Sequence, residues 1–430
     1  MKNVIQTGRR NFLKTLGITS GLSLGGWGSV IGSERVGKNR NLIPPGNLDS
    51  GLVQASYVNA DFRLDVSVES IDVLIKSEEE IVNFPRLIRT KGDKPLILAY
   101  GRGKHGGDEG RLAAFSSDDG KTWQDFPKGS HWNDNVQTSG VLGYLNDGTI
   151  AYVDVFPLEM GDHKDLKKYK DLKIPWYATY IQNPSWRLRK FSDSGDLVED
   201  TTFKVKNMPW KEGAYYCYGD LLDFGNGELL CPLGVQLPDT KIKEGSRIGI
   251  TTFFARSTDN GKTFEYLSNI PSHLDGEPLT QGFNEPTLRI LPNGEVICVA
   301  RTGGYDPLYQ ARSSDRGETW STAVSTGWPA AKPDLRLLEN GVLACSSGRG
   351  SYGHPQITHV MFSLDGRGER WEAPFVFHTG PGCSYTSNME KDGKLYVAYS
   401  DSSFTKEKGT YDLPFQSIKW AVLNVDKTAR

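Results

Sequence analysis

The sequence predicts an all-β chain folded as a six-bladed β-propeller, and three observations lead there. A turn motif, Ser-x-Asp-x-Gly-x-x-aromatic, occurs four times. Six hairpin signals of the Asn-Gly or Asp-Gly kind recur along the chain, each running into an apolar stretch. With 48 Gly, 18 Tyr and 10 Trp in 430 residues, composition favours twisted, turn-rich sheets over helices. The net charge of −2 provides no basic field of the kind that nucleic acid needs.

Taken in order, the chain opens on Thr7-Gly-Arg9-Arg10-Asn-Phe12-Leu13-Lys14, which resembles a twin-arginine export signal. The stretch from Leu16 to Ile31 is rich in Gly and Ser and too weakly apolar to span a membrane. Residues 1–35 are therefore expected to be the signal, 36–55 a linker and 56–430 the propeller, placed in the periplasm or secreted. The hairpin turns follow at Lys91-Gly-Asp93, Asn146-Asp147-Gly148, Asn226-Gly227, Asn293-Gly294, Asn340-Gly341 and Asp392-Gly393. Their spacing of about 50 to 80 residues is that of propeller blades, each a four-stranded sheet. Tyr57 to Ile75 and Ser417 to Leu423 are expected to close the ring. Two stacked sandwiches are the weaker alternative, because no linker divides the repeats. Phe156 to Pro184, charged and then aromatic at Trp176, Tyr177 and Tyr180, reads as a long insertion.

The four turn motifs are Ser116-Ser-Asp118-Asp-Gly120-Lys-Thr-Trp123, Ser257-Thr-Asp259-Asn-Gly261-Lys-Thr-Phe264, Ser313-Ser-Asp315-Arg-Gly317-Glu-Thr-Trp320 and the longer Ser363-Leu-Asp365-Gly-Arg-Gly368-Glu-Arg-Trp371. Asp should accept from turn amides, Gly should take a positive φ, and the ring should pack the turn onto its sheet. The five cysteines, Cys217, Cys231, Cys298, Cys345 and Cys383, stand singly in apolar runs and read as buried free thiols. The seven His are dispersed and no His-Glu-x-x-His occurs, so neither metal nor cofactor is expected.

Several segments carry chemistry. Phe283-Asn-Glu285-Pro-Thr leads through a hairpin to Val299-Ala-Arg301. Ser346-Ser-Gly-Arg349 follows, then Cys383-Ser-Tyr385-Thr-Ser-Asn. Earlier stand Tyr100-Gly-Arg102 and Lys104-His-Gly-Gly-Asp108. Together with the Asp boxes and hairpins, from Ser56 onward, these segments resemble the sialidase (neuraminidase) superfamily. The resemblance implies Tyr385 as nucleophile, Glu285 as its base and Asp108 as acid/base. It also implies Arg301, Arg349 and Arg102 as ligands of a substrate carboxylate.

The chemistry suits those residue types. A sugar with a carboxylate on its anomeric carbon repels a carboxylate nucleophile, whereas a tyrosine is neutral until a base activates it. Arginine's planar fork grips a carboxylate through two parallel hydrogen bonds. Asp108 would need a raised pKa to protonate the leaving oxygen.

The pattern departs from the family at Asn83, which stands two residues before Pro85 where an arginine of the carboxylate triad is usual. In a regular strand Arg86 would face the other way, while Arg89 has the right parity but lies too far along. A bulged strand would let Arg86 serve; otherwise the triad is incomplete, with Arg102 as compensation. The expected function is hydrolysis of terminal sialic acid or a related acidic sugar from a glycan, with retention, by a monomer that neither inserts in a membrane nor binds nucleic acid. Two alternatives stay open. One is an enzyme for another acidic polysaccharide, a uronate lyase or a glycosidase using His105. The other is a glycan-binding propeller without catalysis, in which Glu285 and Tyr385 would lie too far apart to hydrogen bond.

Overall fold

The computed structural model describes residues 53–430, apart from 78–81, 90–95, 103–109, 127–139, 157–178, 193–194, 238–239, 242, 245, 247–248, 304–305, 350–356, 380–384, 402–403, 406–409 and 412–415. The expected signal and linker, and most of the Phe156–Pro184 insertion, lie outside the described residues. The described elements are strands.

Six blades surround one axis, and the hairpins read from sequence join the first two strands of blades 2 to 6, while Lys91-Gly-Asp93 of blade 1 lies outside the described residues. Blade 1 runs Val82–Arg89, Leu96–Arg102, Gly110–Ser116 and Gln124–Asp125 from the axis outward. Blade 2 runs Gly140–Tyr144, Ile150–Phe156, Ser185–Phe191 and Leu197–Phe203. Blade 3 has an interrupted inner strand, Glu212–Asp220 and Leu222–Gly225, then Glu228–Gln236, Thr251–Ser257 and Phe264–Ile270. Blade 4 is built from Asn284–Ile290, Val296–Arg301, Pro307–Ser313 and Val324–Pro329. Blade 5 is built from Ala331–Leu337, Leu343–Gly348, Ile357–Ser363 and Phe375–Thr379.

Blade 6 closes the ring. Its inner strands, Thr386–Lys391 and Lys394–Asp401, come late in the chain, and Gln416–Ala429 follows them. The early strand Phe62–Ser77 then pairs antiparallel along almost the whole of Gln416–Ala429, with Gln54–Val58 outermost. Joining the two ends of the chain in one sheet ties the circle, as expected from Tyr57–Ile75 and Ser417–Leu423. The blades depart from independent four-stranded sheets: blade 6 has five strands, and Thr179–Gln182 adds antiparallel to Glu212–Tyr215 of blade 3. Tyr218–Asp220 of blade 3 pairs in parallel with Gly140–Leu142 of blade 2, so those two blades form one continuous sheet.

Strand alternation puts apolar side chains on both faces of each blade, and the core is accordingly divided. Among the described residues six buried clusters occur, each shared by two consecutive blades. Leu98 and Trp420 belong to the cluster between blades 1 and 6, for example, and Leu230 and Cys298 to that between blades 3 and 4. Cys217, Cys231, Cys298 and Cys345 are buried free thiols inside these clusters; Cys383 lies outside the described residues.

The Asp boxes link the third and fourth strands of blades 1, 3, 4 and 5. In the third box Asp315 Oδ1 accepts from the Ser313 hydroxyl at 2.7 Å and the Thr319 amide at 2.9 Å, and Gly317 N donates to Ser313 Oγ at 2.7 Å. Gly317 has φ of 92°, in the left-handed region. These bonds hold the Asp315 carboxyl down at about 2, the Thr319 hydroxyl contributing most.

Candidate active site

Three inner strands begin with the same irregularity. In blades 1, 4 and 5 the ladder slips by one residue between Asn83 and Arg86, between Asn284 and Thr287, and between Ala331 and Asp334. At each bulge a non-glycine residue stands in the left-handed region directly before a proline: Phe84 at φ 52°, Glu285 at 47° and Lys332 at 46°. Proline disfavours the right-handed helical conformation for the residue before it, and a bulge re-aims side chains out of the alternation. Left-handed non-glycine residues cost about 1–3 kcal/mol each and gather where function over-determines them.

The bulge of blade 4 delivers Glu285 to a compact cluster. Arg301, which ends the next strand opposite Asn284, places Nη1 3.2 Å from both Glu285 carboxylate oxygens, and its Nε donates to Gly303 O at 2.9 Å. Tyr385, just before the inner strand of blade 6, donates its hydroxyl to Glu285 Oε1. The Lys332 amide of blade 5 donates to Glu285 Oε2 at 3.2 Å. Phe84 sets its ring edge-on to Tyr385 with centroids 4.3 Å apart. Glu285, Arg301 and Tyr385 are 8%, 7% and 9% exposed, so each keeps a sliver of open surface. Arg349 follows the second strand of blade 5, at φ 88° and half-buried.

Electrostatics follow from burial and company. Burial opposes ionisation of Glu285 most strongly. Arg301, the Tyr385 hydroxyl and Arg349 outweigh it together and hold the carboxyl below its usual range. Tyr385 is pushed far up, first by burial and then by the Glu285 charge, against the pull of Arg301 and Arg349. The resting pair is thus phenol and carboxylate, with the proton on the tyrosine side of their hydrogen bond. This arrangement can take a proton from a phenol as that phenol attacks.

On the axis behind this cluster lies a cavity of about 300 Å³, bordered by inner strands of all six blades. Arg86, Tyr218, Lys332, Asp220, Asp334 and Arg289 are among its lining, whereas Glu285 and Tyr385 are not. It is the axial channel.

Comparison with known proteins sets this geometry in context. Residues 212–397 match the model of the BNR repeat-like domain. No curated protein sequence matches the chain. Among solved structures, a protein of unknown function from Dyadobacter fermentans superposes with TM-score 0.59 at 18% identity, over 84% of this chain and 99% of that one. Trypanosoma rangeli sialidase in complex with the inhibitor DANA superposes with TM-score 0.52 at 14% identity, over 82% and 59%. A Hadza microbial sialidase gives 0.51 at 17%, over 80% and 65%. The chain shares the β-propeller fold of these solved structures. It spans less than two thirds of the length of those sialidases, and at such identities the likeness is one of fold. The trypanosomal enzyme has also been solved with sialic acid and, as a covalent intermediate, with 2,3-difluorosialic acid.

In this six-bladed propeller Glu285, Arg301 and Tyr385 come together, with Arg349 near enough for its charge to bear on both Glu285 and Tyr385. Arg102 ends the second strand of blade 1, but its side chain lies outside the described residues, as do Asp108 and His105. The question at Asn83 has a definite structural answer for Arg86. The strand is bulged, so the parity argument that turned Arg86 away fails. Yet Arg86 is buried and committed: Nη1 donates to Gly140 O and Nη2 to Gly219 O, both at 2.7 Å, strapping the junction of blades 2 and 3. Its guanidinium also lies 5.9 Å from the Tyr218 ring centroid.

Sequence reasoning missed Lys332, Phe84 and Tyr218. For the first two a signal existed: Asn83-Phe84-Pro85, Asn284-Glu285-Pro286 and Ala331-Lys332-Pro333 align as blade starts once the hairpins are superposed. Tyr218 has no such marker. Burial raises its pKa most, with Tyr385 and Glu285 adding to the rise.

Proposed function

We propose that the protein is an exported exo-glycosidase that hydrolyses a terminal acidic sugar of the sialic acid class with retention of configuration. The observation that carries this reading is the Tyr385 hydroxyl hydrogen-bonded to a Glu285 that is itself ion-paired with Arg301. Tyr385 Oη attacks the anomeric carbon while its proton passes to Glu285, and Asp108 gives a proton to the departing glycosidic oxygen. Water, deprotonated by Asp108, then displaces Tyr385, which recovers its proton from Glu285. Because burial and the Glu285 charge hold the Tyr385 pKa far above its ordinary value, proton transfer and attack belong to one step. Arg301 and Arg349, with Arg102, receive the sugar carboxylate. That carboxylate also explains the choice of a neutral nucleophile. The twin-arginine motif supports export.

Turnover of a panel of aryl glycosides that includes a sialoside tests the reading. Tyr385→Phe is expected to lower kcat by about 1,000-fold or more. Mass spectrometry after incubation with 2,3-difluorosialic acid should place one sugar on Tyr385. Full activity in Tyr385→Phe would refute the mechanism.

One observation favours a second reading, an acidic sugar other than sialic acid. Asn83 replaces the usual arginine, and Arg86 is spent on two backbone carbonyls. Preference for a uronoside over the sialoside, with loss of turnover in His105→Ala, would decide for it. A purely binding propeller is disfavoured, because Glu285 and Tyr385 are in hydrogen-bond contact.

A further inference from the structure

The geometry points to Lys332 as a positioning residue that holds the Glu285–Tyr385 pair together from the axial side. The inference rests on the reading of that pair as base and nucleophile. Lys332 is buried and touches both partners' supports at once. Its amide donates to Glu285 Oε2 at 3.2 Å, which the left-handed backbone at φ 46° makes possible by turning that N–H out of the ladder. Its ammonium donates to the carbonyl of Thr386, the residue directly after Tyr385. One residue of blade 5 thus ties the carboxylate of blade 4 to the backbone that carries the phenol of blade 6.

The ammonium is not explained by a strong ion pair. Asp334 Oδ2, its nearest carboxylate, is 3.9 Å away and already accepts from Asn388 N at 2.8 Å. The Tyr218 ring lies 5.9 Å from Nζ. Desolvation pulls the Lys332 pKa down, with Asp334, Asp220 and Glu285 resisting and Arg86 adding to the fall. A buried lysine with so little local compensation is retained for what it holds. It also covers a weakness in the mechanism. When a substrate carboxylate engages Arg301, that guanidinium is shared, whereas Lys332, on the channel side, keeps its hold on Glu285.

The test uses the full-length protein and two readouts. In Lys332→Met, kcat on the best aryl glycoside is expected to fall by about 10- to 100-fold with KM little changed, as for a misplacement of about 1 Å. The acid limb of the kcat profile should move to higher pH, because removing a cation raises the Glu285 pKa. The other groups facing Glu285 (Arg301, Arg349, Tyr385 and Tyr218) are unaltered. Loss of packing alone would not move that limb, and an unmoved limb with wild-type kcat overturns the proposal. Lys332→Arg keeps the charge and should keep the limb in place while lowering kcat, which remains readable if Lys332→Met does not fold. Thermal unfolding of Lys332→Met, Glu285→Gln and the double variant needs no substrate and reads the coupling between the ammonium and the carboxylate. The double variant's loss in Tm should differ from the sum of the singles by about 1 °C or more, and strict additivity overturns the coupling of Lys332 to Glu285. Should the wild type turn over no glycoside, the functional reading falls while this cycle still decides the role of Lys332.

Discussion

Glu285, Tyr385 and Arg301 are separated by up to 100 positions in the chain yet share one hydrogen-bonded cluster. Residue types at the ends of predicted strands were legible, since Glu285-Pro and Val-Ala-Arg301 flank a clear hairpin. The bulge that aims Glu285 was not, because alternation assumes a regular ladder. His359 provides a separate prediction at this scale. It is buried in blade 5 with Nε2 3.0 Å from Ser347 Oγ, and burial lowers its pKa to about 4. The folded state therefore binds a proton less readily than the unfolded chain, whose histidine titrates near 6.5. Stability from this group is complete above about pH 6.5 and is lost as pH falls toward 4, by about 3 kcal/mol in all. Denaturant unfolding between pH 7 and 4.5 should show that loss in the wild type and a smaller one in His359→Gln. Equal slopes in the two proteins would contradict it.

The Asp box changes meaning once its neighbours are seen. Read as sequence, it is a self-contained turn; in the fold, each box docks on the preceding blade. A Cβ on Gly120 of blade 1 would sit 2.0 Å from the Trp420 ring of blade 6, and one on Gly261 of blade 3 would sit 2.4 Å from Leu188 of blade 2. Gly317 of blade 4 faces Leu230 of blade 3, and Gly368 of blade 5 faces Ile297 of blade 4. Polar links follow the same rule: Trp320 Nε1 donates to Ser268 Oγ at 3.1 Å and Trp371 Nε1 to Gln310 Oε1 at 2.8 Å. The box is thus an interblade staple. Gly120→Ala should destabilise by about 2–4 kcal/mol, adding overpacking to left-handed strain. Gly294→Ala, at φ 85° with open space around it, should cost only the strain, about 1–2 kcal/mol. Equal losses in urea unfolding would show that docking contributes nothing.

For the whole molecule, the circle is secured by two strands from opposite ends of the chain. Phe62–Ser77 and Gln416–Ala429 pair across most of their length and bury Leu64, Val66, Leu423 and Val425 against blade 5. Since every core cluster is shared between neighbouring blades, none can be completed by one blade alone. Deleting residues 416–430 is accordingly expected to abolish cooperative unfolding of the whole protein. Far-UV circular dichroism with thermal melting checks this, and a native Tm in the truncated chain would rule it out.

Turn chemistry and strand alternation are local, so the five hairpins among the described residues, the four boxes, the blade count and the closing strands could be read directly from residue order. The position of Glu285, Arg301 and Tyr385 beside strand ends was readable for the same reason. Convergence is not local. That Glu285 meets Tyr385, that Arg86 straps blades 2 and 3 and that Lys332 reaches Thr386 all depend on three one-residue bulges and on the closure of the ring. These contacts join strands of different blades through long-range packing, which no single stretch of sequence encodes.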